Sequence, residues 1–89
     1  MKTNLILFTS KKCAPCKVLK ENLTKSNIAV NEVDVDTEYG SKIASMYYIR
    51  SIPTLIDPTT KNMLNGNWPI SKICKKFGLK IYKENFASL

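Results

Sequence analysis

The sequence contains no histidine, and that absence removes a large part of the catalytic repertoire. The side chain that most often moves protons near neutrality is missing, and so is any zinc site of mixed cysteine and histidine ligands. Long hydrophobic runs are missing too. The first clearly apolar stretch, Leu5 to Phe8, gives way at once to polar Thr9-Ser10-Lys11-Lys12. It is too short for a signal-peptide core or for a membrane span, which needs about 20 apolar residues. Acidic residues are scarce, 7 against 14 Lys and Arg, for a formal net charge of +7. The basic residues are scattered, with no arginine-rich block and no nucleic-acid-binding motif, which fits solubility and general electrostatic steering better than nucleic-acid binding. Three cysteines make an odd number without the paired spacing of a secreted disulfide framework. These absences predict a soluble, cytoplasmic, monomeric protein with neither a membrane nor a nucleic acid as partner.

What is present is enough for one domain. Eighty-nine residues at 44% hydrophobic composition can bury a modest core, roughly 60% of the unfolded surface for a chain of this order, without needing disulfide staples. The domain is expected to span 1–89, with a core of about 3–78 and a tail, 79–89, that carries no assigned role.

Periodicity supplies the elements. Thr3 to Phe8 (TNLILF) reads as a central strand buried on both faces. Cys16, Leu19 and Leu23 recur at helical spacing, with Lys17, Lys20 and Lys25 elsewhere on the wheel, so a helix is expected from about Cys13 to Lys25, ended by Ser26-Asn27. Ala29 to Asp34 (AVNEVD) predicts a second strand. Asp36 or Thr37 can cap a helix from about Glu38 to Tyr48, with Ile43, Met46 and Tyr47 on one side. Ile52 to Ile56 predicts a third strand opening on a proline, and Asn62 to Asn65 a fourth, in a hairpin that ends at Asn65-Gly66-Asn67. The last helix opens at Pro69, carries Ile70, Ile73, Cys74 and Phe77 as its apolar stripe, and closes at Gly78. The order βαβαββα is that of an α/β, thioredoxin-like core with a four-stranded mixed sheet and three helices.

Cys13-Ala14-Pro15-Cys16 at the mouth of the first helix carries the chemistry. Residues three apart on a helix are neighbours, with Cβ atoms roughly 5–6 Å apart, so two thiols there can close a disulfide with small local adjustment. The thiolate is the attacking species in disulfide exchange, and the unpaired N–H groups and positive end of a helix favour it at Cys13. Cys13 is thus the candidate nucleophile. Cys16, on the apolar face one turn in, is the candidate resolving thiol. Pro15 suits a first turn whose N–H groups have no internal partner, and Ala14 is small enough to leave Cys13 accessible. Lys11, Lys12 and Lys17 flank the motif and add a modest, salt-sensitive positive field. Half of a zinc site is the structural alternative. A second ligand pair is needed for that, and only Cys74 remains, on an apolar stripe where it reads as a core residue.

At these residues a family resemblance becomes specific. Cys13-Ala14-Pro15-Cys16-Lys17 resembles the thioredoxin motif Cys-Gly-Pro-Cys-Lys with alanine for glycine. Tyr48-Ile49-Arg50-Ser51-Ile52-Pro53-Thr54-Leu55 is similar to the thioredoxin segment ending Ile-Arg-Gly-Ile-Pro-Thr-Leu. The resemblance covers Thr3 to Phe77. It implies a redox-active Cys13–Cys16 disulfide, a cis Pro53 lying against the two cysteines, and an Ile52 backbone that pairs with an extended substrate segment. Gly66 resembles the glycine of the family's substrate-facing surface, though it also reads as a plain Asn-Gly turn. Trp68 resembles the tryptophan of glutaredoxin-like hydrogen donors served by thioredoxin reductase, though it also reads as simple packing at a helix start.

Some positions depart from thioredoxins. Lys12 replaces the tryptophan before the motif, Leu7 replaces a buried aspartate, and the extra N-terminal strand and helix are lacking, which makes the chain as compact as a glutaredoxin. Glutaredoxins lack that aspartate as well, and often carry a lysine before the motif. Their glutathione site uses a Thr-Val-Pro segment, to which Ser51-Ile52-Pro53 is a loose match, and a Gly-Gly turn followed by acids, of which Gly66-Asn67-Trp68-Pro69 has neither the second glycine nor the acids. The resemblance therefore implies a protein disulfide reductase with no bound cofactor or metal, acting on disulfide-containing proteins, ribonucleotide reductase among the candidates. Its electrons would come from an NADPH-dependent thioredoxin reductase, a flavoprotein, or alternatively from glutathione. A redox-inert adaptor is the third reading, against which the intact cysteine pair speaks.

Overall fold

Successive residues of the first apolar run face opposite sides of a sheet, and both sides are covered. A computed structural model describes residues 1–80. Among them the order is β1 (Lys2–Thr9), α1 (Ala14–Lys25), β2 (Ala29–Asp34), α2 (Glu38–Met46), β3 (Thr54–Ile56), β4 (Met63–Asn65) and α3 (Ile70–Phe77). The sheet order is β2-β1-β3-β4. β1 runs parallel to β2 and antiparallel to β3, and β3 pairs antiparallel with β4. The strands thus form the four-stranded mixed sheet expected.

Leu5 and Leu7 of β1 join Leu19 and Leu23 of α1, Leu55 of β3, and Ile73 and Cys74 of α3 in one buried cluster. Phe8 and Ile56 face the other way, with Ala44 of α2, and gather Ile6, Val33, Ile43 and Tyr47 around them. Helices α1 and α3 therefore cover one face and α2 the other, which is why β1 reads as a continuous apolar run.

Boundaries differ from the sequence expectations for local reasons. The first helix begins at Ala14, with Cys13 as its N-cap, and α3 begins at Ile70, with Pro69 as N-cap. The third strand starts at Thr54 instead of Ile52, because Pro53 has no N–H to give the ladder. Helix α2 ends at Met46, with Tyr47 as C-cap and Tyr48 at φ +56°. Its buried face also differs. Ile43 and Tyr47 pack on the core as expected, but Met46 is 69% exposed, and the inward positions are completed by Gly40 and Ala44. Two small residues do not register as apolar markers, yet 40, 43, 44 and 47 form the helical stripe.

Met1 before β1 and Leu79 after α3 are both tied to the core. The Met1 ammonium donates to the Asn27 carbonyl at 2.5 Å. Gly78 takes a left-handed conformation and lets Leu79 donate its N–H to the Cys74 carbonyl at 2.8 Å. Leu79, expected in the tail, packs against the core. The rest of the expected tail, 81–89, lies outside the described residues.

Candidate active site

The loop after β1 is fixed before it reaches Cys13. Val35 donates its N–H to the Thr9 carbonyl, and the buried Ser10 hydroxyl hydrogen-bonds the Asp36 carboxylate. Ser10 then holds the turn twice: its hydroxyl accepts the Lys12 N–H at 3.2 Å, and its carbonyl accepts the Cys13 N–H at 3.1 Å. Asp36 is therefore engaged with Ser10, and Thr37 caps α2, accepting the Gly40 N–H at 2.9 Å.

Cys13 and Cys16 are joined by a disulfide with Cα atoms 5.2 Å apart. Cys13 sits at the N-cap, where its Sγ accepts the N–H of Cys16 at 3.2 Å. A sulfur here takes the part a serine or aspartate oxygen usually plays. The first turn of α1 carries no acidic residue, so no carboxylate competes for the positive helix end. Cys13 is half-buried and Cys16 fully buried. Ala14, Pro15, Lys11, Lys12 and Lys17 are all exposed around them.

The sheet register brings the second motif to the same end. Phe8 pairs with Thr54 and Thr54 with Asn65. Antiparallel pairing therefore carries Thr9 onward alongside Pro53 and Ile52, and Gly66 onward beside them. The Ile52–Pro53 peptide is cis, as the resemblance implied, and Pro53 is buried. Gly66 has φ +100° and donates its N–H to the Pro53 carbonyl at 2.8 Å. Trp68 Nε1 donates to the Asn65 carbonyl, its ring is 39% exposed, and Lys72 Nζ lies 5.3 Å from the ring centroid. The glycine and the tryptophan are thus parts of one turn bound to the proline loop.

Polar groups not anticipated from sequence complete that loop. Thr54, fully buried, donates from Oγ1 to the Ser51 carbonyl at 2.7 Å, while Asn65 Nδ2 donates to both Ser51 Oγ and Thr54 Oγ1. Only the Ile-Pro-Thr pattern hinted at Thr54. Asn65 and the Ser10–Asp36 pair had no local signal, since each acts across a distance in the chain. On the α2 side of the loop, a cleft of about 190 Å³ is lined by Val35, Ala44, Ile49, Arg50, Ser51 and Ile52.

Two other expectations meet the structure here. Cys74 is 5% exposed in the core, and burial pushes its thiol up from the ordinary value. Leu7 is fully buried among Leu5, Leu19 and Leu55, so this position supplies no carboxylate to the cysteine pair. No cluster of three or more His, Cys, Asp or Glu residues gathers among the described residues.

The strand order, the two-sided helix packing and a cysteine pair at the same end of the sheet as a cis-proline loop define a thioredoxin-like redox fold. Solved structures share it. The thioredoxin-like protein BC3987 is 25% identical at a TM-score of 0.64, covering 82% of this chain and 99% of that one. Thioredoxin 1 from Thermosipho africanus is 20% identical at 0.63, covering 88% and 91%, and the glutaredoxin-like NrdH-redoxin from Escherichia coli is 17% identical at 0.59, covering 78% and 87%. A family model for glutaredoxin matches residues 5–57, and the chain belongs to the glutaredoxin family. A search of curated proteins gave no match. Members of the family are generally thiol–disulfide oxidoreductases.

Proposed function

We propose that the protein is a protein disulfide reductase in which Cys13 attacks and Cys16 resolves. The observation that carries this reading is the N-cap position of Cys13, whose sulfur accepts a helix N–H while Cys16 lies fully buried behind it. In the reduced protein the same N–H groups and helix end favour a thiolate on Cys13. That thiolate attacks one sulfur of a substrate disulfide, and the other sulfur leaves as a thiolate that takes a proton from water. Cys16, deprotonated, then attacks Cys13 Sγ, expels the substrate's second thiolate and closes the 13–16 disulfide. The substrate gains two electrons and two protons, and the dithiol loses them.

With Leu7 where thioredoxins carry a buried aspartate, the proton of Cys16 passes to water or to another group. Lys11, Lys12 and Lys17 add positive field near the reacting sulfurs, and Ala14, Pro15, Ile52, Pro53, Gly66 and Trp68 form the surface a substrate chain meets. The dithiol is regenerated by a thioredoxin-reductase-type flavoprotein drawing on NADPH, in a cytoplasmic, reducing setting, with ribonucleotide reductase among the substrates. Glutathione is the second reading, favoured by the match to the glutaredoxin model. The Escherichia coli NrdH-redoxin, glutaredoxin-like with a thioredoxin-like activity profile, supports placing the flavoprotein first. The deciding experiment is insulin reduction, run once with thioredoxin reductase and NADPH and once with glutathione, glutathione reductase and NADPH. Turnover with the flavoprotein is expected; turnover with glutathione alone overturns the choice of donor.

A further inference from the structure

The surplus of positive charge is not spread evenly over the pairs the fold makes. Among the described residues the ion pairs are Lys20–Glu32 at 2.8 Å, Lys25–Glu21 at 3.1 Å and Lys42–Glu38 at 3.9 Å. Lys11, Lys12, Lys17 and Arg50 take part in none of these, and all four are exposed. Lys11 and Lys12 immediately precede Cys13, and Lys17 follows it by one helical turn on the α1 face of the sheet. Arg50 stands two residues before Ile52 on the α2 face, where it lines the cleft of about 190 Å³ with Val35, Ala44, Ile49, Ser51 and Ile52.

Two acids stand at this end, Asp36 and Asp34, the latter lining one pocket with Lys11 and Lys17, and four cations against two carboxylates leave a net positive charge. The Asp36 carboxylate is hydrogen-bonded by Ser10, and Asp34 Oδ1 accepts the Asp36 N–H at 2.9 Å. The cysteine pair is thus approached between cations on both faces of the sheet, next to a cleft that is otherwise mostly apolar.

We propose that the disulfide-bearing segment this protein reduces is an acidic one. It would lay an apolar side chain in the cleft beside Ile52, with carboxylates meeting Arg50 on one side and Lys11, Lys12 and Lys17 on the other. The inference rests on the reductase reading and names its substrate class. Exposed charges of this kind act mainly on encounter, raising association rates by roughly 10- to 1,000-fold at low salt and losing that effect as ions screen them. An apolar side chain in the cleft supplies what charge alone lacks, a fixed register of the segment against the proline loop.

The test uses the full chain, reduced beforehand, and three peptides with one identical internal disulfide and one leucine beside it. Their flanking residues are glutamates, glutamines or lysines. Single-turnover rates are measured by acid quenching and chromatography, each divided by the rate of the same peptide with dithiothreitol. The glutamate peptide is expected to react about tenfold faster than the glutamine peptide at roughly 20 mM salt, and within about twofold of it at roughly 0.5 M. Arg50→Glu is expected to cut the low-salt ratio by about threefold. Equal normalised rates for the glutamate and glutamine peptides at low salt, with both reduced, overturn the acidic-substrate proposal and leave the reductase reading standing. Failure of the reduced protein to cleave any of the three overturns both.

Discussion

Gly66 donates its backbone N–H to the carbonyl oxygen of Pro53 at 2.8 Å, and this bond ties the turn after β4 to the cis-proline loop. Residues thirteen positions apart in the chain are thereby held as one surface, with Asn65 bridging Ser51 and Thr54 beneath it. A glycine is needed because its φ of +100° lies where a side chain is strained.

Gly66→Ala tests that requirement. A Cβ there would lie 3.5 Å from Trp68 Nε1, an ordinary contact, so crowding adds little and the backbone sets the cost. A loss of about 1–2 kcal/mol is expected, read from the urea midpoint of the oxidised protein. An unchanged midpoint would mean the turn relaxes freely and does not hold the proline loop.

Gly40→Ala is expected to be worse, and for the opposite reason. Gly40 lies inside α2 in ordinary helical backbone, but a Cβ would sit 1.8 Å from the Asp34 carbonyl oxygen and 2.8 Å from Thr37 Oγ1. The atoms it meets are backbone and a cap, neither free to swing aside. Separating α2 from the end of β2 should cost about 3 kcal/mol or more, visible as a lowered Tm or as insoluble expression.

The fold was legible because β1 is apolar on both faces and α1 and α3 carry clean stripes, which periodicity detects. The cysteine pair was legible because its chemistry is local, two thiols three positions apart at a helix start. Gly40, Ser10, Asp36 and Asn65 were not, since each does its work through a partner on another element that only the folded register supplies. Met46 was misplaced on the buried side for a related reason: a long apolar side chain dominates a pattern, while Gly40 and Ala44, which let α2 approach the sheet, leave no hydrophobic mark. Pro53 and Gly66 were visible as residue types, and their hydrogen bond was not.

Cys13→Ser and Cys16→Ser separate the roles proposed for the two sulfurs. Replacing Cys13 removes the less buried cysteine of the pair, the proposed nucleophile, and should lower insulin reduction to the level without enzyme. Replacing Cys16 leaves the attack intact and removes the release, so a mixed disulfide with substrate should accumulate and be seen by mass spectrometry. Multiple turnover by Cys13→Ser would reverse the assignment.

Cys74 governs a pH effect on stability without touching the reaction. Burial raises its thiol above the ordinary value, so in the alkaline range the folded chain retains a proton that the unfolded chain has lost. The stabilisation is complete below the unfolded value, about 8.5 to 9, and is lost as pH climbs through the folded one. Cys74→Ala removes that dependence. Wild type should lose up to about 1.4 kcal/mol per pH unit more than the variant above pH 9, the limit for a single proton, in urea titrations of the oxidised protein. Activity of the variant at neutral pH should stay near that of wild type, because Cys74 is buried in the core cluster with Leu7, Leu23 and Ile73. Parallel stability curves from pH 8 to 10 would mean the thiol is reached by water, and would reopen it as a reactive group.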